Sequence, residues 1–169
     1  MSEISPSQKG GIAEAKVLAA LVELGVRVSV PFQDDSPYDF VVDVAGGLFR
    51  TQVKWAPLGK RGSIVVPTCW RGDGRANRQV YSDDRAVDVF IAYCPETDTC
   101  YLIPHSEATD RATSLRVVPA KNNQSDGVRL ASEYELSRMI EKLTTIPSTG
   151  SPRSWQSIAS QVTHRTSGD

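Results

Sequence analysis

Asp39, Gln52 and Lys54 fall within one short stretch, Pro37 to Trp55. A carboxylate and a carboxamide offer oxygen donors to a hard divalent cation, and an ammonium offers positive charge to a phosphate. A β-hairpin would set the three side by side. Two runs rich in β-branched and aromatic residues, Tyr38 to Val44 and Leu48 to Trp55, flank Gly46-Gly47, a dipeptide that supplies the positive φ angles of a tight turn. A turn centred there places Asp39 opposite Lys54, Val41 opposite Gln52 and Asp43 opposite Arg50, all six on one face. Because side chains alternate, Phe40, Val42, Val44, Phe49, Thr51, Val53 and Trp55 take the other face. The polar face is open to a second reading as a solvated surface, since exposed cross-strand ion pairs are worth only ~0.2–1 kcal/mol each.

Glu14 tilts the balance. The spacing of Ala13, Val17, Ala20, Leu21 and Leu24 predicts an amphipathic helix over Gln8 to Gly25, with Lys16 and Glu23 on its polar face. Glu14 stacks with Val17, Leu18 and Leu21 on the side expected to face the core. A carboxylate there needs a cation, a metal or hydrogen-bond donors, and the polar face of the hairpin can supply them.

Glu14, then Ser-Pro-Tyr-Asp ending at Asp39, then Gln-Val-Lys with Gln52 and Lys54, resemble the PD-(D/E)XK nucleases. Gly-Ile-Ala-Glu-Ala-Lys-Val-Leu-Ala-Ala-Leu and Val-Pro-Phe-Gln-Asp-Asp-Ser-Pro-Tyr-Asp narrow the resemblance to the group I intron-associated branch, over roughly residues 8 to 105. It implies a restriction-endonuclease-like core and a Mg²⁺- (or Mn²⁺-) dependent DNA endonuclease of homing type. Asp39, Gln52 and the backbone carbonyl of Val53 would hold the metal. Glu14 would complete the site or hold its water, and Lys54 would orient the attacking water or stabilise the pentavalent phosphorane. The third acidic position of the superfamily pattern is Gln52 here, as in the intron-associated branch, and its neutral amide cancels none of the charge on a cation.

The 169 residues, 40% apolar and 23% charged, fit one globular domain with a sizeable core. Met1 to Gly10 has no signal-peptide apolar region and no apolar run approaches the ~20 residues of a membrane span, so a cytoplasmic protein is expected. Cys69, Cys94 and Cys100 form no CxxC pair, which argues against a zinc site or a disulfide scaffold.

The net charge of −1 hides an asymmetry. Between residues 46 and 80 stand Arg50, Lys54, Lys60, Arg61, Arg71, Arg75 and Arg78 against Asp73 alone. This window directly follows the proposed site, and Lys60, Arg61, Arg71, Arg75 and Arg78 are candidate contacts to double-stranded DNA; away from such a site they would read as a solvated charge run. Cys69 to Gln79, with Gly72 and Gly74, is expected to be a flexible basic loop, beside which Trp70 either stacks on a base or packs on the sheet.

The remaining elements frame this site. Val26 to Pro31 and Ser63 to Thr68 read as strands, Gln33 to Pro37 as a turn with solvated Asp34 and Asp35, and Asp88 to Tyr93 with Thr99 to Ile103 as a second hairpin. His105, just past that hairpin, is a weak candidate for a general base. Leu115 to Val118 is a further strand, Ala120 to Gly127 a loop, and Ser132 with Glu135 an N-terminal signature for a helix carrying Leu136, Met139, Ile140 and Leu143. The expected organisation is a nuclease-like domain over 1–143, a linker over 144–154 and a short helical tail over 155–169. Trp155, Ile158, Ala159 and Val162 of the tail would dock on the domain or a partner subunit, since no recognition helix follows.

These elements predict an α/β fold with a mixed sheet flanked by helices. Since one such site cuts one strand, double-strand cleavage would require a homodimer or a higher assembly. The alternatives are a restriction enzyme or a Holliday junction resolvase of the same superfamily, or a DNA-binding module without catalysis.

Overall fold

A computed structural model describes residues 4–33, 36–71, 78–80, 87–109, 111–118 and 128–145, with the backbone alone at 69–71 and 78–80. Helix α1 (Pro6–Glu23) opens it. The Ser5 side chain accepts from the Gln8 N–H and the Gln8 side chain accepts from the Ser5 N–H, a capping box that starts the helix two residues before the predicted Gln8, with Pro6 in its first turn. Ala13, Val17 and Leu21 form its buried stripe, and the turn at Gly25 leads into strand β1 (Arg27–Ser29).

The predicted hairpin is present as β2 (Phe40–Val44) and β3 (Gly47–Trp55), but its register differs. Ala45 and Gly46, with φ of 53° and 78°, make the turn, so Val44 pairs with Gly47, Asp43 with Leu48, Val41 with Arg50 and Phe40 with Thr51. The predicted pairs Asp39–Lys54, Val41–Gln52 and Asp43–Arg50 are therefore corrected by two residues. A shift of two leaves every side chain on its own face, which is why alternation alone could not choose between the two turns. The faces are as predicted: Phe40, Val42, Val44, Phe49, Thr51 and Val53 are buried, while Val41, Asp43, Arg50, Gln52 and Lys54 are half-buried.

Strands β7 (Val89–Cys94) and β8 (Thr99–Pro104) complete a mixed five-stranded sheet of order β1-β2-β3-β7-β8. It is antiparallel except where β7 runs parallel to β3. Between β3 and β7 the chain forms β4 (Ser63–Pro67), which pairs with β9 (Ala112–Arg116), and a ribbon of β5 (Cys69–Arg71) and β6 (Arg78–Val80). The stretch expected to be a flexible basic loop is thus strand at both ends, with Arg71 paired to Arg78 and Trp70 to Gln79. Helix α2 (Leu136–Thr145) begins after a 3₁₀ turn over Ala131–Glu133, which places Ser132 inside that turn and not at the helix N-cap.

Two cores hold the layers. On one face of the sheet, Ala13, Val17 and Leu21 of α1 and Leu136, Met139, Ile140 and Leu143 of α2 pack on Val42, Phe49, Val53, Ile91 and Leu102. On the other, Ile64, Val66 and Leu115 of the β4–β9 pair cover Phe90, Ala92, Tyr101 and Ile103. At about 25 cal/mol per Å² of apolar surface removed from water, these two contacts are the main source of stability. Cys94 and Cys100 are buried and unbridged. Among the described residues no helix is long and apolar enough to cross a membrane. Asp34, Asp35, Asp73, Arg75, the 120–127 loop, most of the expected linker and the tail helix lie outside the described residues.

Candidate active site

The site forms where β2 leaves β3. The ladder ends at Phe40–Thr51, and the next residue, Asp39, is tied to β3 by its N–H, which donates to the Thr51 carbonyl at 2.9 Å. The Asp39 carboxylate then takes the place of the missing strand partner. Its Oδ2 accepts from the Val53 N–H at 2.6 Å and from Gln52 Nε2 at 2.5 Å. Since the N–H and C=O of one strand residue point to the same side, the Val53 carbonyl is turned toward the same fork. Asp39 and Gln52 meet as predicted, one register step closer than expected.

Desolvation is the largest influence on Asp39 and raises its carboxyl above the ordinary carboxylate range, opposed by the Val53 N–H, the positive charge of Lys54 and the Gln52 amide. Glu14 is also raised, first by desolvation and then by the negative charge of Asp39. The fold therefore brings Glu14, Asp39, Gln52, Val53 and Lys54 into one electrostatic neighbourhood. Glu14 itself is exposed, which corrects the expectation that it faces the core: the buried stripe runs through Ala13 and Val17, and Glu14 stands on its border.

The Asp39 and Glu14 carboxyls are both raised above their ordinary values, near an amide and a backbone carbonyl. The donor set suits a hard divalent ion, which is commonly held by one or two carboxylates and keeps much of its water. Among the described residues no three His, Cys, Asp or Glu side chains cluster, so any metal held here relies on the amide and the carbonyl as well.

Beside the fork lies a residue that sequence reasoning passed over. Asp88, just before β7, accepts from the Arg50 N–H at 2.7 Å and takes its guanidinium side-on, Nε to Oδ2 at 3.0 Å and Nη2 to Oδ1 at 2.9 Å. The Asp88 N–H donates in turn to the Arg50 carbonyl at 2.9 Å. Arg50 thus pairs with Asp88, and Asp43 lies 3.9 Å from Arg27 of the neighbouring β1. This bidentate clamp fixes β3 two residues before Gln52 and four before Lys54. Its one signal in the sequence was a lone aspartate opening an otherwise apolar strand.

His105 sits in a 3₁₀ turn after β8, its ring stacked on Phe90 at 6.0 Å and its N–H donating to the Asp88 carbonyl at 3.0 Å. Lys60 and Arg61 occupy the exposed turn between β3 and β4. Arg71 and Arg78 are partners in the β5–β6 ribbon. In the middle of α1, two residues after Glu14, Lys16 pairs with Asp98 at 2.8 Å, and Tyr93 donates to the same carboxylate.

The structure resembles that of a bacterial homing endonuclease, I-Ssp6803I, with a TM-score of 0.62 and 21% identity, over 97% of this chain and 99% of that one. A comparison with curated proteins finds no match. Residues 4–137 match the family pattern of the PD-(D/E)XK endonucleases, a stretch that contains Glu14, Asp39, Gln52, Val53 and Lys54. The chain belongs to the PD-(D/E)XK endonuclease family.

Proposed function

We propose that this chain is a Mg²⁺-dependent DNA endonuclease of homing type, acting in the cytoplasm as a homodimer or higher assembly. The observation that carries the reading is the fork between β2 and β3. There a desolvated Asp39 carboxylate is seated on the Val53 N–H, with Gln52 and Lys54 on the same sheet face and Glu14 within electrostatic reach.

Asp39, Gln52, the Val53 carbonyl and Glu14 would hold the cation. Bound there, it would supply positive charge at the scissile phosphate and lower the pKa of an attacking water. Gln52 now points its Nε2 at Asp39; the same amide turned over presents Oε1, and the two arrangements differ only in which end faces the carboxylate. Lys54 orients the water or meets the charge that develops on the phosphorane, and its ammonium needs no covalent change to do either. The Arg50–Asp88 clamp keeps β3 in place while the amide and the ammonium act.

The basic segments supply affinity. Lys60 and Arg61 are exposed on one turn, and Arg71 faces Arg78 across β5–β6. A two-stranded ribbon has the width that a DNA major groove admits. Replacing Arg71, Arg75 and Arg78 together by alanine should flatten the slope of log affinity against log salt by up to about 2.7. An unchanged slope would move the DNA contact to Lys60 and Arg61.

The test is incubation of the purified protein with genomic DNA in Mg²⁺, in Mn²⁺ and with a chelator, followed by sequencing of the cut ends. A homing enzyme leaves few cuts at one long recurrent sequence, a restriction enzyme cuts often at a short one, and a resolvase prefers four-way junctions to duplex. Metal-independent binding without cutting would mark a non-catalytic DNA-binding module.

A further inference from the structure

Thr51 is the residue at which β3 changes partners. β2 pairs with β3 from Gly47 to Thr51 along one edge, and β7 pairs with it from Thr51 to Trp55 along the other. In these two ladders Thr51 alone has a partner on both sides, so on either side of it the ladder holds β3 along a single edge. An aspartate extends the grip past each ladder. Asp39, one residue before β2, takes the Val53 N–H at 2.6 Å. Asp88, one residue before β7, takes the Arg50 N–H at 2.7 Å and returns its own N–H to the Arg50 carbonyl at 2.9 Å. The two mounts differ in what else each carboxylate holds. Asp39 takes the neutral Gln52 amide, whereas Asp88 takes the Arg50 guanidinium through Nε and Nη2. The Asp88 carbonyl is also tied to the end of β8 by the His105 N–H. The Arg50 and Asp88 side chains are only 31% and 22% exposed, and a side-on pair sheltered in this way fixes geometry as an exposed pair does not.

We propose that Asp88, acting through Arg50, is a positioning residue for the metal site, holding β3 at the Thr51 handover while the Asp39 carboxylate takes the cation. This rests on the endonuclease reading of Asp39. A cation draws on the same carboxylate that holds Val53 and weakens it as an acceptor, so the Asp39 side of the handover loosens when the site is in use. The Asp88 carboxylate, already matched by a guanidinium, keeps its grip. Arg50, Gln52 and Lys54 project from one face of β3 at two-residue steps, so movement of the strand at Arg50 displaces the amide next and the ammonium after it. Groups that orient a metal's ligands in this way tune its affinity without touching it.

The test compares Asp88→Asn, which keeps an oxygen for the Arg50 N–H and gives up the charge, with Arg50→Lys, which leaves both backbone bonds in place and removes the fork. Mn²⁺ affinity is read from the paramagnetic resonance signal of the free ion, and cleavage from single turnovers of the duplex fragment that the wild-type protein cuts. Each folded variant should bind Mn²⁺ about 10- to 100-fold more weakly and cut more slowly, with part of the rate recovered at high Mg²⁺. DNA affinity at saturating Ca²⁺ should not change. The double variant should be no worse than the worse single one, because the two residues act as a unit. Wild-type Mn²⁺ affinity and Mg²⁺ dependence in both variants overturn the positioning role and leave the clamp as support for the fold, with a lower Tm its only consequence. A loss of DNA affinity with Mn²⁺ affinity unchanged also overturns it and assigns Arg50 to the phosphate backbone. Should Asp88→Asn not fold, Arg50→Lys decides alone. A wild-type protein that cuts no DNA with either Mg²⁺ or Mn²⁺ overturns the endonuclease reading and the positioning role with it.

Discussion

On the sheet face that carries Gln52 and Lys54, the β7–β8 half and the β2–β3 half are built to opposite rules. Phe90, Ala92, Tyr101 and Ile103 are buried under Ile64, Val66 and Leu115 of the β4–β9 pair. Val41, Asp43, Arg50, Gln52 and Lys54, in the same plane, belong to neither core and stay half-buried. One half removes apolar surface from water, and the other ends at the Asp39 carboxylate, in an environment that disfavours its charge. The difference shows where this fold places its stability: among the described residues the β4–β9 pair packs on β7 and β8, while Gln52 and Lys54 belong to neither core.

The strongest test of that division is Asp39→Asn. It should abolish detectable cleavage while the protein becomes more stable. A carboxyl raised in the native state binds protons there more tightly than in the unfolded chain, so its ionisation lowers stability as pH rises past the unfolded value, ordinarily ~4. Removing the charge should raise Tm at neutral pH, by roughly 2–4 °C for every kcal/mol relieved, and Glu14→Gln should act in the same direction. By the same sign, metal-dependent cleavage should fall with acid at a pH above the ordinary carboxylate range, since both groups must lose their protons to hold a cation. A drop in Tm on Asp39→Asn would mean that the fork is structural. Lys54→Ala should also abolish cleavage, with DNA affinity largely kept. Gln52→Glu should stay active and shift the metal dependence toward tighter binding, read from Mg²⁺ titrations of cleavage.

The covered half predicts the reverse pattern. Phe90→Ala should cost about 3–5 kcal/mol in chemical denaturation, because the ring is fully buried and the β4–β9 pair cannot collapse onto the space. Activity should then be lost only in proportion to the unfolded fraction. A catalytic defect in protein shown to be folded would break the comparison.

A smaller effect is expected on α1, which carries Gly10 and Gly11 inside the helix with nothing within 4 Å of either would-be Cβ. Gly10→Ala and Gly11→Ala should each stabilise by about 0.5–1 kcal/mol, since alanine restricts the unfolded chain and meets no neighbour. Thermal melts of the single variants measure this. The smallest effect concerns Cys100 on β8, whose thiol burial pushes up to about 11. Cys94 and Cys100 should resist thiol reagents until denaturant opens the sheet, and rapid labelling of either in native protein would show that the covered half is open.

Most of the elements were legible because each has a local cause. Alternation set the faces of β2 and β3, the spacing of Ala13, Val17 and Leu21 set the buried stripe of α1, and unbroken apolar runs marked β7 and β8. The candidate site residues were legible for the same reason, as short-range patterns of residue type. Three features were decided elsewhere. The hairpin turn fell on Ala45-Gly46 because registers that differ by two bury the same side chains, and the choice rests on turn geometry and on the packing of neighbouring strands. The ribbon at Arg71 and Arg78 depends on pairing across six intervening residues, and no period within either short strand announces it.

Asp88 reaches Arg50 only because β7 lies parallel to β3, thirty-eight residues away along the chain. By itself, then, the sequence determined which residues carry charge and which face of its own helix or strand each takes, since both follow from the backbone's 3.6- and two-residue periods. The tertiary structure alone decided which strands became neighbours and which half of the sheet β4 and β9 would cover. It thereby also decided that Asp39 would take the Val53 N–H, because contacts between distant segments depend on how the whole core closes.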